Sequence, residues 1–222
     1  MSDASQLIYG KRPVAEAERG RREVRRVWRA PEVSGDELER LCGSPDHQGV
    51  VAEVDSYPYA DSAALLGVVD ALIVALDQVQ DPRNLGAVAR SAEAAGAAGL
   101  VIPERRAAEV TAVACKASAG AVEHLPIARV RNLADWLAKA KDAGFWIWAA
   151  DADAAQAPWD ADLTGPTILV LGAEGKGIRP RVLASCDGGV ALPQRGKTAS
   201  LNVSSAATAL LFEALRQRGK TA

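Results

Sequence analysis

Two uninterrupted apolar runs, ALIVAL at 71–76 and TILVLG at 167–172, constrain this chain more than any other feature. A strand with one solvated face alternates apolar and polar residues, whereas a run without alternation has to be covered on both sides. Sheets covered on both faces are built from parallel strands joined by helices. The sequence between and after the two runs supplies both kinds of element. NLGAVARSAEAAG (84–96) has helical spacing, with Leu85, Val88, Ala89 and Ala92 on one face and Gly96 as a stop. AGLVIP reads as a strand, AAEVTAVACKASAG (107–120) as a helix and HLPIARV as a strand. LADWLAKAKDAG is a helix ended by Gly144, and FWIWAAD a further strand. RPRVLASC, GGVALP and Val203–Arg218 follow as a short helix, a strand and a closing helix. This alternation predicts an α/β domain with a mostly parallel sheet.

The first sixty residues differ. PVAEAERGRREVRRVW reads as a short basic helix leading to a strand, DELERL as a second short helix, and HQGVVAEV (47–54) as a strand. DSYPYADS (55–62) breaks the pattern with proline and polar residues and reads as a linker. The expected organisation is a small domain over 1–58 followed by a larger one over 59–222.

Net charge is −2, but it is segregated. From Lys11 to Arg29 eight basic residues face Glu16, Glu18 and Glu23, a local +5 that leaves −7 for the rest. Phosphate contact requires such a surface, and a solvated helix face would look the same. Cys42, Cys115 and Cys186 are scattered, His47 and His124 are isolated, and no C-x-x-C pair occurs, so neither a disulfide framework nor a metal site is expected. No apolar run reaches the length of a membrane span. The opening residues, MSDASQLIYGKR, lack the basic-then-apolar order of a signal peptide. The expected compartment is the cytoplasm.

Ligands of open α/β sheets collect at the carboxyl ends of the strands. Three such junctions are polar or glycine-rich: LDQVQDPRNLGAVAR (76–90), LGAEGKGI (171–178) and ALPQRGKTASLNVSS (191–205). The Gly-Lys-Thr of the last suggests a phosphate loop, but Ala191 stands where its first glycine is needed and Pro193 removes a backbone donor. GAEGKG reverses the glycine spacing of a dinucleotide site, and no G-x-S-x-G elbow is present. Taken singly, Asn84 is equally a helix cap, and Arg90 and Glu174 are equally surface charges.

Taken together, the three junctions resemble the three motifs of the SpoU/TrmH class of SPOUT RNA methyltransferases. Asn84, Gly86 and Arg90 match the first motif, Gly172, Glu174 and Gly177 the second, and Pro193 with SLNVS (200–204) the third. KASAGAVEHLPIARV is similar to the segment between the first two motifs in ribosomal RNA members. IYGKRPVAEA and HQGVVAEV resemble the two ends of the RNA-binding domain in bacterial 23S rRNA (guanosine-2′-O-)-methyltransferases, although the stretch between Trp28 and His47 is short for that domain.

The resemblance implies a parallel sheet with a C-terminal trefoil knot, preceded by a shortened α+β RNA-binding domain. It implies S-adenosylmethionine as cofactor, no metal, and methyl transfer to a ribose 2′-hydroxyl, with 23S rRNA as the expected substrate. Catalytic roles would fall to Arg90, Asn84, Glu174 and Asn202. Leu171, Gly172, Leu192, Pro193, Ser200, Leu201 and Asn202 would wrap the cofactor, with Gly196 and Lys197 on the same loop. Lys11, Arg12, Arg22 and Arg26 are the expected RNA contacts. A homodimer is expected through the closing helix, whose small apolar face is Ala206, Ala209 and Leu210 with Glu213 at its edge. A tRNA ribose methyltransferase of the same class, and an RNA-binding protein that keeps the fold without the activity, are the competing readings.

Overall fold

The computed structural model describes residues 5–197 and 200–219. Thr198 of the Gly-Lys-Thr sequence, and Lys220 to Ala222, lie outside the described residues. The chain divides into two compact units. One comprises the residues up to Pro58 together with Pro82–Arg90 and Glu109–His124; the other comprises Tyr59–Asp81, Ser91–Ala108 and the residues from Leu125 onward.

In the first unit β1 (Ser5–Tyr9), β2 (Val24–Arg29) and β3 (Val50–Asp55) form an antiparallel sheet in the order β1-β3-β2. Central β3 is the most apolar, with Val50, Val51, Ala52 and Val54 buried. The helix α1 (Lys11–Ala17) buries Pro13, Val14 and Ala17. The helix α2 (Gly35–Cys42) starts at Ser34, whose hydroxyl accepts the Glu37 N–H, and buries Leu38 against Tyr9 and Val51. The basic run therefore divides between a short helix and a strand, as its sequence reads. The helix ends at Ala17, and Arg25, Arg26 and Arg29 stand on edge strand β2. A close approach accompanies the turn between them: a Cβ on Gly20 would lie 2.7 Å from the Glu123 side chain.

The second unit is built on a six-stranded, wholly parallel sheet in the order β6-β5-β4-β8-β7-β9. Its members are β4 (Leu72–Asp77), β5 (Gly99–Pro103), β6 (Ile127–Val130), β7 (Trp146–Ala150), β8 (Thr167–Gly172) and β9 (Gly188–Val190). Every residue of β4 is buried, as its unbroken apolar run requires. The covering helices include α3 (Ser62–Leu66), α6 (Leu133–Asp142), α7 (Pro180–Leu183) and α8 (Val203–Arg218).

Between β4 and β5 runs α4 (Pro82–Ala94), with Leu85, Val88, Ala89 and Ala92 all inaccessible and Gly96 left-handed just beyond it. The next segment departs from expectation. Only Ala112–Ala117 (α5) is helical, because the Thr111 hydroxyl caps the helix there and the preceding Ala108 N–H is committed to the Val79 carbonyl at 2.8 Å.

Candidate active site

Strand β8 ends in a loop held so tightly that its glycines serve two different ends. Gly172 has no room for a side chain: a Cβ would lie 2.1 Å from the Gly177 carbonyl carbon. Gly175 and Gly177 instead adopt left-handed backbone, with φ of 73° and 64°. The Gly177 N–H closes the turn onto the Ala173 carbonyl at 2.9 Å. The loop then reaches Arg179, whose N–H and Nε each donate to the Asp77 carboxylate at 2.8 Å, while its Nη2 lies 2.6 Å from the same group. Asp77 ends β4 and is wholly buried.

Asn202 divides its amide between two tasks. Its Oδ1 accepts the Ser204 N–H at 2.9 Å and caps α8. Its Nδ2 donates to Glu174 Oε1 at 2.6 Å. One side chain thus joins the loop after β8 to the start of the closing helix.

Beside this junction lies a cavity of about 590 Å³, within the usual range for small-molecule sites. It opens at the carboxyl ends of β7, β8 and β9. Leu171, Gly172, Leu192, Ser200 and Leu201, five of the seven residues expected to hold a cofactor, line it together with Glu174. Pro193 and Asn202 are not among its lining residues; Asn202 acts on it through Glu174. Sequence reasoning missed Asp151 and Asp153, on the loop after β7, and assigned Ala206 and Leu210 of α8, which also line the cavity, to a dimer face. The rule that ligands gather at strand ends already marked the exit of FWIWAAD.

Asn84 and Arg90 lie on α4, half-buried and exposed respectively. Gly86, between them, is a contact residue: a Cβ there would lie 2.4 Å from the Ala114 carbonyl oxygen and 2.8 Å from the Ala117 Cβ, so α5 packs directly on its backbone. Lys11 and Arg12 are exposed on α1, and the exposed Arg26 guanidinium lies 4.8 Å from the Trp28 ring centroid.

Arg22 is different and corrects the expectation. It is only 5% exposed, with Nε and Nη2 both bonded to Glu123 and a further contact at 3.3 Å to Cys115 Sγ. Burial alone would lower its pKa, but hydrogen bonding to Glu123 and the neighbouring charges outweigh that and raise it. Such a group is sequestered from phosphates. The apolar face expected on α8 needs correction as well: Leu210 is buried, and the exposed large side chains are Phe212 and Leu215.

Residues 71–212 match the model of the SpoU rRNA Methylase family. The chain belongs to that family. Residues 29–60 match a second model, described as RNA 2′-O ribose methyltransferase substrate binding. Among relatives of the family member, an uncharacterized tRNA/rRNA methyltransferase of Synechocystis is 36% identical across 98% of this chain, which spans 64% of that relative's length. YacO of Bacillus subtilis, assigned to the TrmH family of tRNA/rRNA methyltransferases, is 38% identical over 98% of both chains. The crystal structure of the SpoU methyltransferase AviRb from Streptomyces viridochromogenes, in complex with AdoMet, matches with a TM-score of 0.81 at 32% identity, covering 97% of this chain and 91% of that one.

Proposed function

We propose that this family member is an S-adenosylmethionine-dependent RNA methyltransferase acting on a ribose 2′-hydroxyl, with a guanosine of 23S rRNA as its target. The observation that carries the reading is the cavity at the ends of β7, β8 and β9, lined by five of the residues that the family resemblance assigns to the cofactor. Its chemistry fits the cofactor: Leu192 and Leu201 offer apolar walls to an adenine. The AdoMet complex of AviRb and the substrate-binding match at 29–60 support the cofactor and the ribose oxygen. The trefoil knot, the cytoplasmic setting and a homodimer packed through Phe212 and Leu215 of α8 belong to the same reading.

When bound, the cofactor supplies an electrophilic methyl on a sulfonium. The chain's part is placement, since an in-line displacement needs the hydroxyl aligned with that methyl. Arg90 orients the ribose or its phosphate and stabilises the developing alkoxide through its planar fork of donors. Glu174 and Asn202 hold the loop that faces the cofactor, and Asn84 completes the set. Lys11, Arg12 and Arg26 contact RNA phosphates.

The test is transfer of label from methyl-tritiated S-adenosylmethionine to unmodified 23S rRNA, 16S rRNA and tRNA, with Arg90→Ala in parallel. Label in 23S rRNA, at a ribose 2′-oxygen and lost in the variant, is the expected result. Label in tRNA would keep the chemistry and replace the substrate. Cofactor binding with no label in any RNA would favour a binding protein.

A further inference from the structure

The opposite half of the sheet carries a second concentration of charge. Strands β5 and β6 end side by side, with Pro103 opposite Val130, so Glu104, Arg105 and Arg106 leave one strand next to Arg131 leaving the other. The two ends are fastened: the Glu104 N–H donates to the Val130 carbonyl at 2.9 Å, and Arg129 Nη2 donates to the Glu104 carbonyl at 3.1 Å. The Arg129 guanidinium also lies 5.1 Å from the Tyr59 ring centroid. Residues 103–107 and 128–132 together hold four arginines against one glutamate. Arg105, Arg106 and Arg131 are exposed, and among the described residues none of the three has an ion-pair partner.

Backbone conformation adds a second observation. Arg106 has φ of 57°, left-handed in a residue with a long side chain. Such a conformation persists only where the surroundings impose it, and it concentrates at functional sites. Two residues later the Ala108 N–H is bonded to Val79, in the loop that leads from Asp77 to α4. The arginine loop is therefore tied to the first of the three motif loops.

The sheet order fixes where this cluster lies relative to the cavity. Both are at carboxyl ends of the same parallel strands, the cavity at β8, β7 and β9, the arginines at β5 and β6, with β4 between. With neighbouring strands about 4.8 Å apart, the ends of β5 and β8 are roughly 10 Å from each other. Along the row of strand ends, the arginines lie on the far side of β4 from the cavity.

We propose that Arg105, Arg106 and Arg131 form a phosphate-binding rim that holds the RNA strand flanking the methylated nucleotide, separate from the basic N-terminal segment. This inference rests on the RNA methyltransferase reading. Guanidinium groups match phosphate oxygens in fork geometry, and each phosphate neutralised releases counterions. The evenly charged RNA backbone, continuous with the target ribose, is the ligand that suits both the charge and the position.

The test compares wild type with Arg105→Gln/Arg106→Gln/Arg131→Gln and with a control of equal charge change on outer helices, Lys139→Gln/Arg181→Gln/Arg216→Gln. Filter binding of transcribed 23S rRNA is measured across a potassium chloride series, with S-adenosylmethionine affinity by calorimetry and thermal melting alongside. The rim variant is expected to bind RNA about tenfold more weakly at low salt, with a log–log salt slope shallower by about 2. Cofactor affinity and melting stay unchanged, and the control keeps the wild-type slope. An unchanged slope and affinity in the rim variant, or an equal loss in the control, overturns the proposal while the methyltransferase reading stands. Wild type that binds no RNA overturns both. Polyglutamate binding that the rim variant alone loses, with RNA binding intact, assigns the arginines to an acidic protein and also overturns it.

Discussion

Asp77 and Arg179, 102 positions apart, are joined at three points: the backbone N–H, Nε and Nη2 of the arginine all reach one wholly buried carboxylate. The pair sits where the sheet's strand order reverses, between β4 and β8, the usual place for a ligand in such folds. Here that place is taken by a clamp, and the cavity lies at the ends of β8, β7 and β9. The clamp closes the far side of the loop that carries Glu174.

Removing the carboxylate leaves three donors without their acceptor. Asp77→Ala is expected to destabilise the fold by about 3 kcal/mol in urea titrations. Arg179→Gln keeps the backbone donor and an amide in reach, and its side chain is 42% exposed, but it leaves the wholly buried carboxylate without a counter-charge, so it should cost about 1–2 kcal/mol. Both variants should speed amide exchange at 173–178 and weaken S-adenosylmethionine binding. Wild-type exchange in Arg179→Gln would show that the glycine turn holds itself.

The motif glycines at 86 and 172 answer to space and not to backbone angle, because neither has the left-handed φ seen at Gly175 and Gly177. Gly172→Ala drives a methyl into the backbone at Gly177, with no flexible side chain to yield. Loss of cofactor binding with an intact far-ultraviolet spectrum is the expected outcome. Gly86→Ala presses on the α5 backbone instead and should destabilise by about 1–3 kcal/mol. Calorimetric affinity near wild type for Gly172→Ala would contradict the first expectation.

What could be read from the sequence divides along local and non-local lines. Leu85, Val88, Ala89 and Ala92 announce one buried face because their spacing is a property of a single helix. Glu174 and five of the residues lining the cavity follow from the resemblance of three strand-end junctions to family motifs, while Asp151 and Asp153 do not. Asp77 gives no such signal: it looks like the first loop residue after an apolar run, and its partner is fixed only by the parallel register of β4 with β8. Arg22 is one of eight cations in its run, each locally equivalent. Glu123, about a hundred positions later, decides which of them is buried.

Cys115 makes the same cluster sensitive to alkali. Burial is the main cause that holds its thiol up at about 11, against an ordinary 9.0, with Arg22 opposing. Below pH 9 the thiol is protonated in folded and unfolded chains alike, and it contributes no pH dependence. Between pH 9 and about 11 the unfolded chain releases the proton while the folded chain keeps it, so stability falls as pH rises, by up to roughly 1.4 kcal/mol per unit. Cys115→Ala lacks this loss. Its stability deficit relative to wild type should therefore shrink across that window, and a constant deficit in urea midpoints up to pH 11 would refute the assignment.

Arg22 and Arg26 stand four residues apart in one basic run, yet their substitutions should separate cleanly. Truncating Arg22 strands the Glu123 carboxylate in the interior, so Arg22→Ala is expected to lose about 3–5 kcal/mol of stability. Arg22→Met, which fills the volume but leaves the same carboxylate unpaired, should do little better. Arg22→Met combined with Glu123→Leu should recover much of the loss, because it removes both charges together. None of these should change the salt slope of RNA binding in the fraction that stays folded. Arg26→Ala should do the reverse, leaving the melting transition within about 0.5 kcal/mol of wild type and making the slope shallower by about 1. Thermal melts and a potassium chloride series on the same four variants measure both quantities. A shallower slope for folded Arg22→Ala would return that arginine to the RNA surface.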